Sequence, residues 1–262
     1  MNTTNTTTNT SQPHKLAIVT GGIRGLGRST VLHLARDGVD SIFTYHSNAA
    51  EAQRVVALAK EAGASAIAVQ LDTSASAGFD AFAEQVRSVL AERGAGGFDF
   101  LVNNAGTGHH GAIAETTEAQ LDALYAIHFK GVFLLTQKLL PLMADGGRIV
   151  NVSSGLTRFT LAGSAPYAAM KGAVEVLTRY LAVELGARGI AVNTLAPGAI
   201  ATDFGGGRVR DNEQLNERVA GMTALGRVGL PDDIGGAIAS LLRDDNRWIN
   251  GQRIEVSGGM NL

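Results

Sequence analysis

The sequence predicts an α/β fold, in which a single doubly wound domain is built on a parallel sheet of about seven strands. Short apolar runs typical of buried parallel strands alternate along the chain with longer runs of helical periodicity. The chain has 262 residues, enough for one large α/β domain, and shows neither an internal repeat nor a linker after residue 14. We therefore expect one domain over residues 14–262.

Four short apolar runs in the first half of the chain are predicted to be strands: 15–20, 41–45, 65–71 and 98–102. The helix between the first two ends near Gly38, because glycine readily adopts the backbone conformation that closes a helix. A second helix is predicted at 48–60, with Ser47 or Asn48 as its N-cap. A third spans 79–90, where Phe and Val residues recur at helical spacing.

The second half of the chain begins with a long apolar helix, predicted at 121–143. It is apolar on more than one face, so we expect the sheet to cover one side and a second subunit another. Strands follow at 148–152, 189–195 and 252–256, and helices at 166–187 and 231–242. The last helix has a proline and acidic residues in its first turn, as helix N-termini favour. The segment 203–226 is rich in Gly, Arg, Asp and Asn, and is interpreted as a mobile lid or as an ordinary surface excursion.

The composition excludes several classes of protein. The net charge is −2, so there is no basic excess for binding nucleic acid, and no apolar run is long enough to span a membrane. The absence of cysteine excludes a disulfide framework and fits a reducing compartment, so we expect a cytoplasmic location. Residues 1–13 are an Asn/Thr tract with almost no apolar residues, which predicts a disordered tail.

The first strand leads into a glycine-rich turn, Gly21-Gly22-Ile23-Arg24-Gly25-Leu26-Gly27, and then into a helix. In this context glycines allow the backbone to approach a pyrophosphate closely, and the helix N-terminus attracts it. Gly21, Arg24, Gly25 and Leu26 are therefore candidate cofactor contacts. The alternative, a tight turn without a ligand, is less consistent with a cation inside the loop.

The end of the second strand indicates which dinucleotide binds. An acidic residue there would hold the ribose 2′-hydroxyl of NAD. The chain instead has Thr44-Tyr45-His46-Ser47 and no carboxylate before Glu51. Arg24 and Ser47 are suited to a 2′-phosphate, so the sequence favours NADP(H) over NAD(H). Alternatively, Arg24 pairs with a surface acid.

Tyr167 and Lys171 lie four residues apart, which places them on the same face of the predicted helix 166–187. An ammonium beside a phenol favours the phenolate and should lower the pKa of Tyr167 from its usual value near ~10. The pair then suits proton transfer to or from a carbonyl or alcohol oxygen. Ser154 follows the strand 148–152, where its hydroxyl could hydrogen-bond the same oxygen.

From about residue 14 to its end, the chain resembles the short-chain dehydrogenase/reductase family. The motifs fall in the family's order: 20–27, Asp72, 103–106, Ser154 with Tyr167-x-x-x-Lys171, and Pro197-Gly198 with Thr202. The glycine loop and the closing stretch 251–259 are most similar to those of 3-oxoacyl-thioester reductases. The resemblance implies a Rossmann-type domain that assembles as a tetramer or dimer.

The resemblance also implies a role for each matching residue. Tyr167 would be the acid/base, Lys171 would lower its pKa and hold the nicotinamide ribose, and Ser154 would orient the substrate oxygen. The implied cofactor contacts beyond the glycine loop are Asp72 and Thr73 at the adenine, Asn104, Ala105 and Gly106 at the adenosine ribose, and Pro197, Ile200 and Thr202 at the nicotinamide.

One position departs from the family pattern. The family commonly has an asparagine in the long helix, which anchors a water that links the lysine to solvent, and His128 stands there in this chain. His128 either keeps the relay, since an imidazole can donate and accept a proton near neutral pH, or packs between helices. The pair His109-His110 is assigned to a loop bordering the substrate pocket rather than to a metal. Adjacent side chains seldom converge on one ion, and no third ligand has suitable spacing.

The sequence therefore predicts an NADP(H)-dependent oxidoreductase that interconverts a carbonyl and a secondary alcohol on a small-molecule substrate. Two alternatives are an NAD-dependent alcohol or sugar dehydrogenase and a nucleotide-binding sensor without chemistry. The intact set of Ser154, Tyr167 and Lys171 argues against the sensor.

Overall fold

The computed structural model describes residues 14–262, and its centre is a parallel sheet. The strands are β1 Leu16–Val19, β2 Asp40–Tyr45, β3 Ala66–Gln70, β4 Phe98–Asn103, β5 Met143–Val152, β6 Ala191–Pro197 and β7 Arg253–Val256. They form one seven-stranded sheet in the order β3-β2-β1-β4-β5-β6-β7, which confirms the predicted doubly wound fold. The predicted disorder concerns residues 1–13, which lie outside the described residues.

Helices cover both faces of the sheet. They are α1 Gly25–Arg36, α2 Ala49–Glu61, α3 Phe79–Glu92, α4 Glu118–Tyr125, α5 Gly131–Leu139, α6 Ala165–Glu184, α7 Arg208–Asp211, α8 Glu213–Gly221 and α9 Pro231–Leu241. The N-cap of α2 is Asn48, whose side chain accepts the N–H of Glu51 at 3.0 Å. Asn48 is one of the two N-cap residues that the sequence analysis predicted for this helix.

Successive residues of the central strands face opposite layers. Leu16 and Ile18 of β1 belong to the core that contains residues of α3, α5 and α6, whereas Ala17 and Val19 belong to the core that contains residues of α1, α2 and α9. Side chains alternate across a strand, so a strand covered on both faces must be apolar throughout. This is why a central strand such as β1 was recognisable as a short unbroken apolar run.

The predicted helix 121–143 is wrong as one continuous element. After α4 the chain makes a π-helical turn over Ala126–Lys130 before α5 begins. A 3₁₀ turn containing Pro141 follows, because proline lacks the N–H that a continuing helix needs. β5 then starts at Met143, where the predicted helix still continued.

The segment 203–226 is largely helical, which its composition did not indicate. It begins with a 3₁₀ turn, Phe204–Gly207, in which three consecutive glycines have φ angles of 62°, 77° and 75°. Residues other than glycine rarely adopt such angles. α7 and α8 follow, and Val219 of α8 packs against Val228 and Met260 in a small separate core.

A crevice is expected between β1 and β4. The strand order reverses there, because β2 and β3 lie on one side of β1 and the later strands on the other. Open α/β sheets bind their ligands at the carboxyl edge of such a switch point. Within residues 14–262, no helix combines the length and the apolar character required to cross a membrane.

Candidate active site

The loop after β1 forms a cradle in which the glycine positions have little or no room for a side chain. Gly21 and Gly25 have φ angles of 69° and 51°, and a Cβ on Gly27 would lie 2.1 Å from the carbonyl oxygen of Gly21. Leu26 packs against the core below the loop. Arg24 precedes α1 without capping it through its side chain, so the first N–H groups of the helix are available to an anion. These features fit the pyrophosphate of a dinucleotide.

Thr20 and Asn104 hold this loop in place. The Asn104 side chain donates to the carbonyl oxygens of Thr20 and Gly21 at 2.9 and 3.2 Å. The backbone N–H groups of Asn104 and Ala105 donate to the Thr20 hydroxyl at 2.9 and 3.0 Å. The Asn104 NH2 group and the Ala105 N–H are thus used to hold the glycine loop, and Gly106 follows them at the edge of the crevice. The anchoring role of Thr20 was not found from the sequence.

The adenosine end of the crevice carries Arg24, Ser47 and Asp72. Arg24 and Ser47 are exposed, and across residues 14–262 Arg24 makes no ion pair, whereas Arg28 pairs with Glu51 at 3.3 Å. The structure thus gives no support to the alternative that Arg24 pairs with a surface acid.

Asp72 follows the end of β3, with the buried Thr73 next to it. The hydroxyl and then the N–H of Ser74 lower the pKa of Asp72, so this carboxylate is ionised at neutral pH. Asp72 also lies 3.8 Å from Nε2 of His46. A groove beside these two residues, of about 390 Å³, is lined further by Gln70 and Phe82. Its position matches the end of the crevice where the resemblance implies the adenine.

The loop after β6 forms the opposite wall. A Cβ on Gly25 would lie 3.4 Å from the methyl group of Thr202, so Thr202 rests against the glycine loop. Ile200 pairs with Gly229 in an isolated bridge, and Pro197 is buried at the end of β6. The residues expected at the pyrophosphate and those expected at the nicotinamide therefore border one crevice.

Tyr167, Lys171 and Ser154 converge at the carboxyl edge of β5. Tyr167 and Lys171 lie one turn apart on α6, with 8% and 4% of their surfaces exposed. The Lys171 ammonium donates to the Val152 carbonyl at 2.8 Å and lies 5.8 Å from the centroid of the Tyr167 ring. Ser154 caps a short 3₁₀ turn, where its hydroxyl accepts the N–H of Leu156 at 3.2 Å.

Burial sets the protonation of both side chains on α6. It raises the pKa of Tyr167 to about 12, against the smaller lowering effect of the Ser154 hydroxyl. It lowers the pKa of Lys171 to about 8. The predicted acidification of the phenol by the ammonium is thus not found, because the loss of hydration dominates the pKa of Tyr167. At neutral pH the phenol keeps its proton and the ammonium keeps its charge.

The π-helical turn carries His128 into the interior, where its ring packs edge-on against Tyr167 with 5.1 Å between centroids. Gly106 makes room for it, since a Cβ there would lie 2.6 Å from Cε1 of His128. Nε2 lies 2.8 Å from the Thr107 carbonyl and 3.4 Å from the Thr107 N–H, and the shorter contact favours the tautomer with its hydrogen on Nε2. Nδ1 is buried and has no partner among residues 14–262. Burial, and then the charge of Lys171, lower the pKa of His128 to about 3, so the imidazole is neutral at neutral pH.

The segment 203–226 borders the site next to Tyr167. The half-exposed ring of Phe204 lies 5.8 Å from that of Tyr167. A Cβ on Gly108 would lie 3.0 Å from Cα of Gly205, so the loop after β4 touches this segment. His109 and His110 are on the same loop, and the described part of the chain holds no cluster of three metal-ligating side chains.

A polar cluster beneath Ser154 was missed by the sequence analysis. Glu175 lies one turn beyond Lys171 on α6, and Arg253 begins β7. Nε of Arg253 donates to Oε1 of Glu175 at 2.9 Å. The four-residue spacing from Lys171 was a signal that could have found Glu175. No local pattern links it to Arg253, which is 78 residues away.

The chain matches, over residues 21–261, a family model described as Enoyl-(Acyl carrier protein) reductase. It is 35% identical over 256 residues to tetrahydroxynaphthalene reductase PfmaG of Pestalotiopsis fici, covering 94% of this chain and 91% of that protein. It is also 35% identical over 250 residues to the 3-oxoacyl-(acyl-carrier-protein) reductase FabG of Staphylococcus aureus, covering 95% and 98%.

The solved structures that are similar to this chain also include reductases. The reductase LugOII, described as acting in keto-reduction during lugdunomycin biosynthesis, has a TM-score of 0.90 at 38% identity, covering 96% of this chain and 100% of that one. The angucycline C-6 ketoreductase LanV with bound NADP has a TM-score of 0.89 at 35% identity, covering 94% and 95%.

The chain therefore belongs to the short-chain dehydrogenase/reductase family. It is an oxidoreductase of the type that interconverts CH–OH and C=O groups, and its resemblance to 3-oxoacyl reductases is confirmed.

The buried, neutral His128 makes a prediction about folding. In the unfolded chain a histidine takes up a proton below about pH 6.5, whereas folded His128 does so only near pH 3. A folded pKa that is depressed gives stability at high pH that is lost as the pH falls. Between about pH 7.5 and about pH 5, the free energy of unfolding of the wild type should fall by about 2 kcal/mol more than that of His128→Asn.

Urea unfolding at the two pH values measures this difference, with His46→Asn as the control because His46 is exposed. That control should keep the pH dependence of the wild type. An equal pH dependence for the wild type and His128→Asn would show that His128 is not held neutral by the fold.

Proposed function

We propose that this protein is an NADP(H)-dependent ketoreductase that interconverts a carbonyl and a secondary alcohol through Ser154, Tyr167 and Lys171. The observation that carries the proposal is the buried, protonated phenol of Tyr167 beside a charged lysine, at the crevice that contains the glycine cradle. A phenol in this state is a proton donor, and a carbonyl undergoing reduction needs one on its oxygen.

Each of the three side chains has a distinct part in this proposal. Bound NADPH supplies the hydride. Tyr167 donates its proton to the carbonyl oxygen, and the Ser154 hydroxyl hydrogen-bonds the same oxygen, so that both stabilise the developing charge. The Lys171 ammonium, held by the Val152 carbonyl, stabilises the phenolate that remains on Tyr167.

The protonated phenol of Tyr167 is the form from which carbonyl reduction starts. An NAD-linked dehydrogenase working toward the carbonyl needs the phenolate as a base, and a pKa of about 12 leaves very little of it at neutral pH. Two similar structures support the choice of cofactor. LanV carries bound NADP, and a blue fluorescent protein from a metagenomic library, 35% identical, is in complex with NADPH.

The preference for NADP(H) over NAD(H) rests on Arg24. Its guanidinium is exposed beside the cradle and, within the described residues, has no acidic partner. Ser47 provides a hydroxyl at the end of β2, and the second strand ends without a carboxylate. A 2′-phosphate matches a free guanidinium and a hydroxyl better than a ribose hydroxyl does.

Arg24→Ala should therefore weaken NADPH binding about tenfold, or about 1.4 kcal/mol, and change NADH binding by less than about twofold. Dissociation constants from the fluorescence of the bound nicotinamide measure both. Arg36→Ala removes the same charge from the far end of α1 and should leave both constants unchanged. Equal losses for NADPH and NADH, or no loss for either, would contradict the assignment.

Two classes of carbonyl compound are candidates for the substrate. PfmaG and LanV are described as reductases of tetrahydroxynaphthalene and of an angucycline, and FabG as a reductase of 3-oxoacyl groups on a carrier protein. The Phe204 ring near Tyr167 provides an apolar aromatic surface at the reacting position. This surface favours a fused-ring ketone, because stacked or edge-on rings stabilise one another.

The role proposed for His128 uses the neutral imidazole. Its pKa of about 3 argues against a relay in which His128 ionises near neutral pH. Nδ1 is instead a buried acceptor, and a buried acceptor without a protein partner is suited to bind a water. In this form His128 takes over the water-holding part of the family asparagine.

His128→Asn should then retain turnover and His128→Leu should lower it, and equal turnover in both would exclude this role.

We also infer self-association and a cytoplasmic location. Val176, Tyr180 and Val183 form an exposed apolar face on α6. Tyr125 and Phe133 are exposed on α4 and α5, and α4 contacts α6. Such a face is suited to bind a second copy. A dimer or tetramer mass by light scattering, lowered by Val183→Lys, would support this, and a monomeric wild type would contradict it. The absence of cysteine is consistent with a reducing compartment.

Turnover should depend on the phenol of Tyr167. Purified protein is assayed by NADPH absorbance with α-tetralone, phenanthrenequinone, an acetoacetyl thioester and an enoyl thioester. Tyr167→Phe should lower kcat by at least ~10²-fold, because the proton donor is lost, and leave the dissociation constant of NADPH within about twofold.

Tyr180→Phe, on the exposed face of α6, is the matched control and should keep full activity. Retained activity in Tyr167→Phe would overturn the assignment. No turnover with any carbonyl would favour a nucleotide-binding role, and reduction of only the enoyl thioester would indicate a different reaction.

A further inference from the structure

The backbone segment that carries Ser154 is held from below by a cluster of four side chains, Ser153, Thr157, Glu175 and Arg253. The side chains of Glu175 and Arg253 are mostly buried, with 14% and 24% of their surfaces exposed. They come from α6 and β7, so the cluster joins the helix of Tyr167 to the last strand of the sheet.

Glu175 gathers three groups on one oxygen. Its Oε1 accepts from the Ser153 hydroxyl at 2.7 Å and from Nε of Arg253 at 2.9 Å. The Thr157 hydroxyl also lies 2.7 Å from this oxygen. Hydrogen bonds to a carboxylate are among the stronger ones in proteins. Glu175 therefore fixes the residue before Ser154 and the last residue of the turn after it.

Arg253 holds the same turn at both ends. Its Nη2 donates to the main-chain carbonyl of Ser154 at 3.3 Å and to the Thr157 hydroxyl at 3.1 Å. The 3₁₀ turn runs from Gly155 to Thr157, and the Ser154 hydroxyl is oriented by accepting the N–H of Leu156 within it. Holding the two ends of this turn therefore determines where the Ser154 hydroxyl points.

A second carboxylate holds Arg253 from its other side. Nη1 of Arg253 donates to Glu255 at 2.9 Å, and Glu255 accepts two contacts of 2.6 Å from Arg158. A partly buried ion pair is weak evidence for a gain in stability, because desolvation offsets much of the attraction. The hydrogen bonds of Glu175 and Arg253 instead meet at one turn, the turn that presents Ser154 to the crevice.

We propose that Arg253 and Glu175 are positioning residues that act through Ser154, an inference that rests on the proposed ketoreductase function. The fork of the Arg253 guanidinium is suited to this task, because it presents several donors in a fixed plane. A lysine could replace the charge but not all of these bonds. The pair thereby holds the turn from which the serine hydroxyl reaches the substrate oxygen.

The test compares Arg253→Met in two backgrounds. With Ser154 present, kcat for the panel compound that is reduced fastest should fall about tenfold or more, with the dissociation constant of NADPH within about twofold. In a Ser154→Ala background the same change should lower kcat by less than about twofold, because nothing remains to be positioned. Arg253→Lys should restore part of the activity, and Glu175→Gln provides a second variant if Arg253→Met does not fold.

Arg188→Met is the matched control. Arg188 also binds a carboxylate, Asp145, and two main-chain carbonyls, those of Leu140 and Met143, but at the amino end of β5, opposite to the end that Ser154 follows. It should leave kcat unchanged. Equal losses of kcat from Arg253→Met in both backgrounds, or a loss as large in Arg188→Met, would overturn the proposal by showing a general effect on the fold.

Hydrogen exchange of residues 152–159 separates this inference from the proposed function. Arg253→Met should accelerate exchange in that segment more than Arg188→Met does, whether or not a substrate is known. A wild type without carbonyl reduction would end the proposed function, and unchanged exchange at 152–159 would end the positioning role.

Discussion

The structure of the site depends on the burial of two polar side chains, Tyr167 and Lys171, against the end of β5. Lys171 keeps one strong hydrogen bond, to the Val152 carbonyl, in exchange for its hydration. That bond ties α6 to the strand that ends beside Ser154, so the helix cannot move without exposing or unpairing the ammonium. The phenol, one turn away, is fixed by the same constraint.

Burial also decides the chemistry. An ammonium near a phenol would favour the phenolate in water, and the spacing of the two residues led to that expectation. In the folded chain the loss of hydration acts in the opposite direction on each group, raising the pKa of the phenol and lowering that of the amine. The result is a proton donor beside a charge that stabilises its conjugate base, which is the combination that carbonyl reduction requires.

Much of the fold could be predicted from the sequence because its signals are local. Short runs rich in apolar residues indicated the strands, most clearly the central ones that are covered on both faces, and Asn48 was one of the two caps proposed for α2. The prediction of one continuous helix over 121–143 was wrong, because a π-helical turn does not show in the apolar periodicity of the sequence. That turn brings His128 against Tyr167, so the missed irregularity is also part of the site.

The site was predictable where residues lie close in sequence and not where distant segments meet. The spacing of Tyr167 and Lys171 is a helical repeat. In contrast, Glu175 pairs with Arg253, and His128 packs against Gly106, where a side chain would not fit. Each pair joins distant segments that share no sequence pattern. The commitment of Asn104 to the glycine loop could not be read either, because it depends on the distance between two strand ends.

The pH dependence of the two reaction directions tests the central claim, a phenol that keeps its proton at neutral pH, most directly. The product alcohol is oxidised with NADP⁺ and the carbonyl is reduced with NADPH, each from about pH 5.5 to about pH 7.5, where Lys171, with a pKa of about 8, is mostly charged. The account predicts that oxidation accelerates close to tenfold per pH unit, because the phenolate is scarce throughout, whereas reduction does not accelerate. An oxidation rate that levels off near pH 7 would contradict it, since the phenol would then already be ionised.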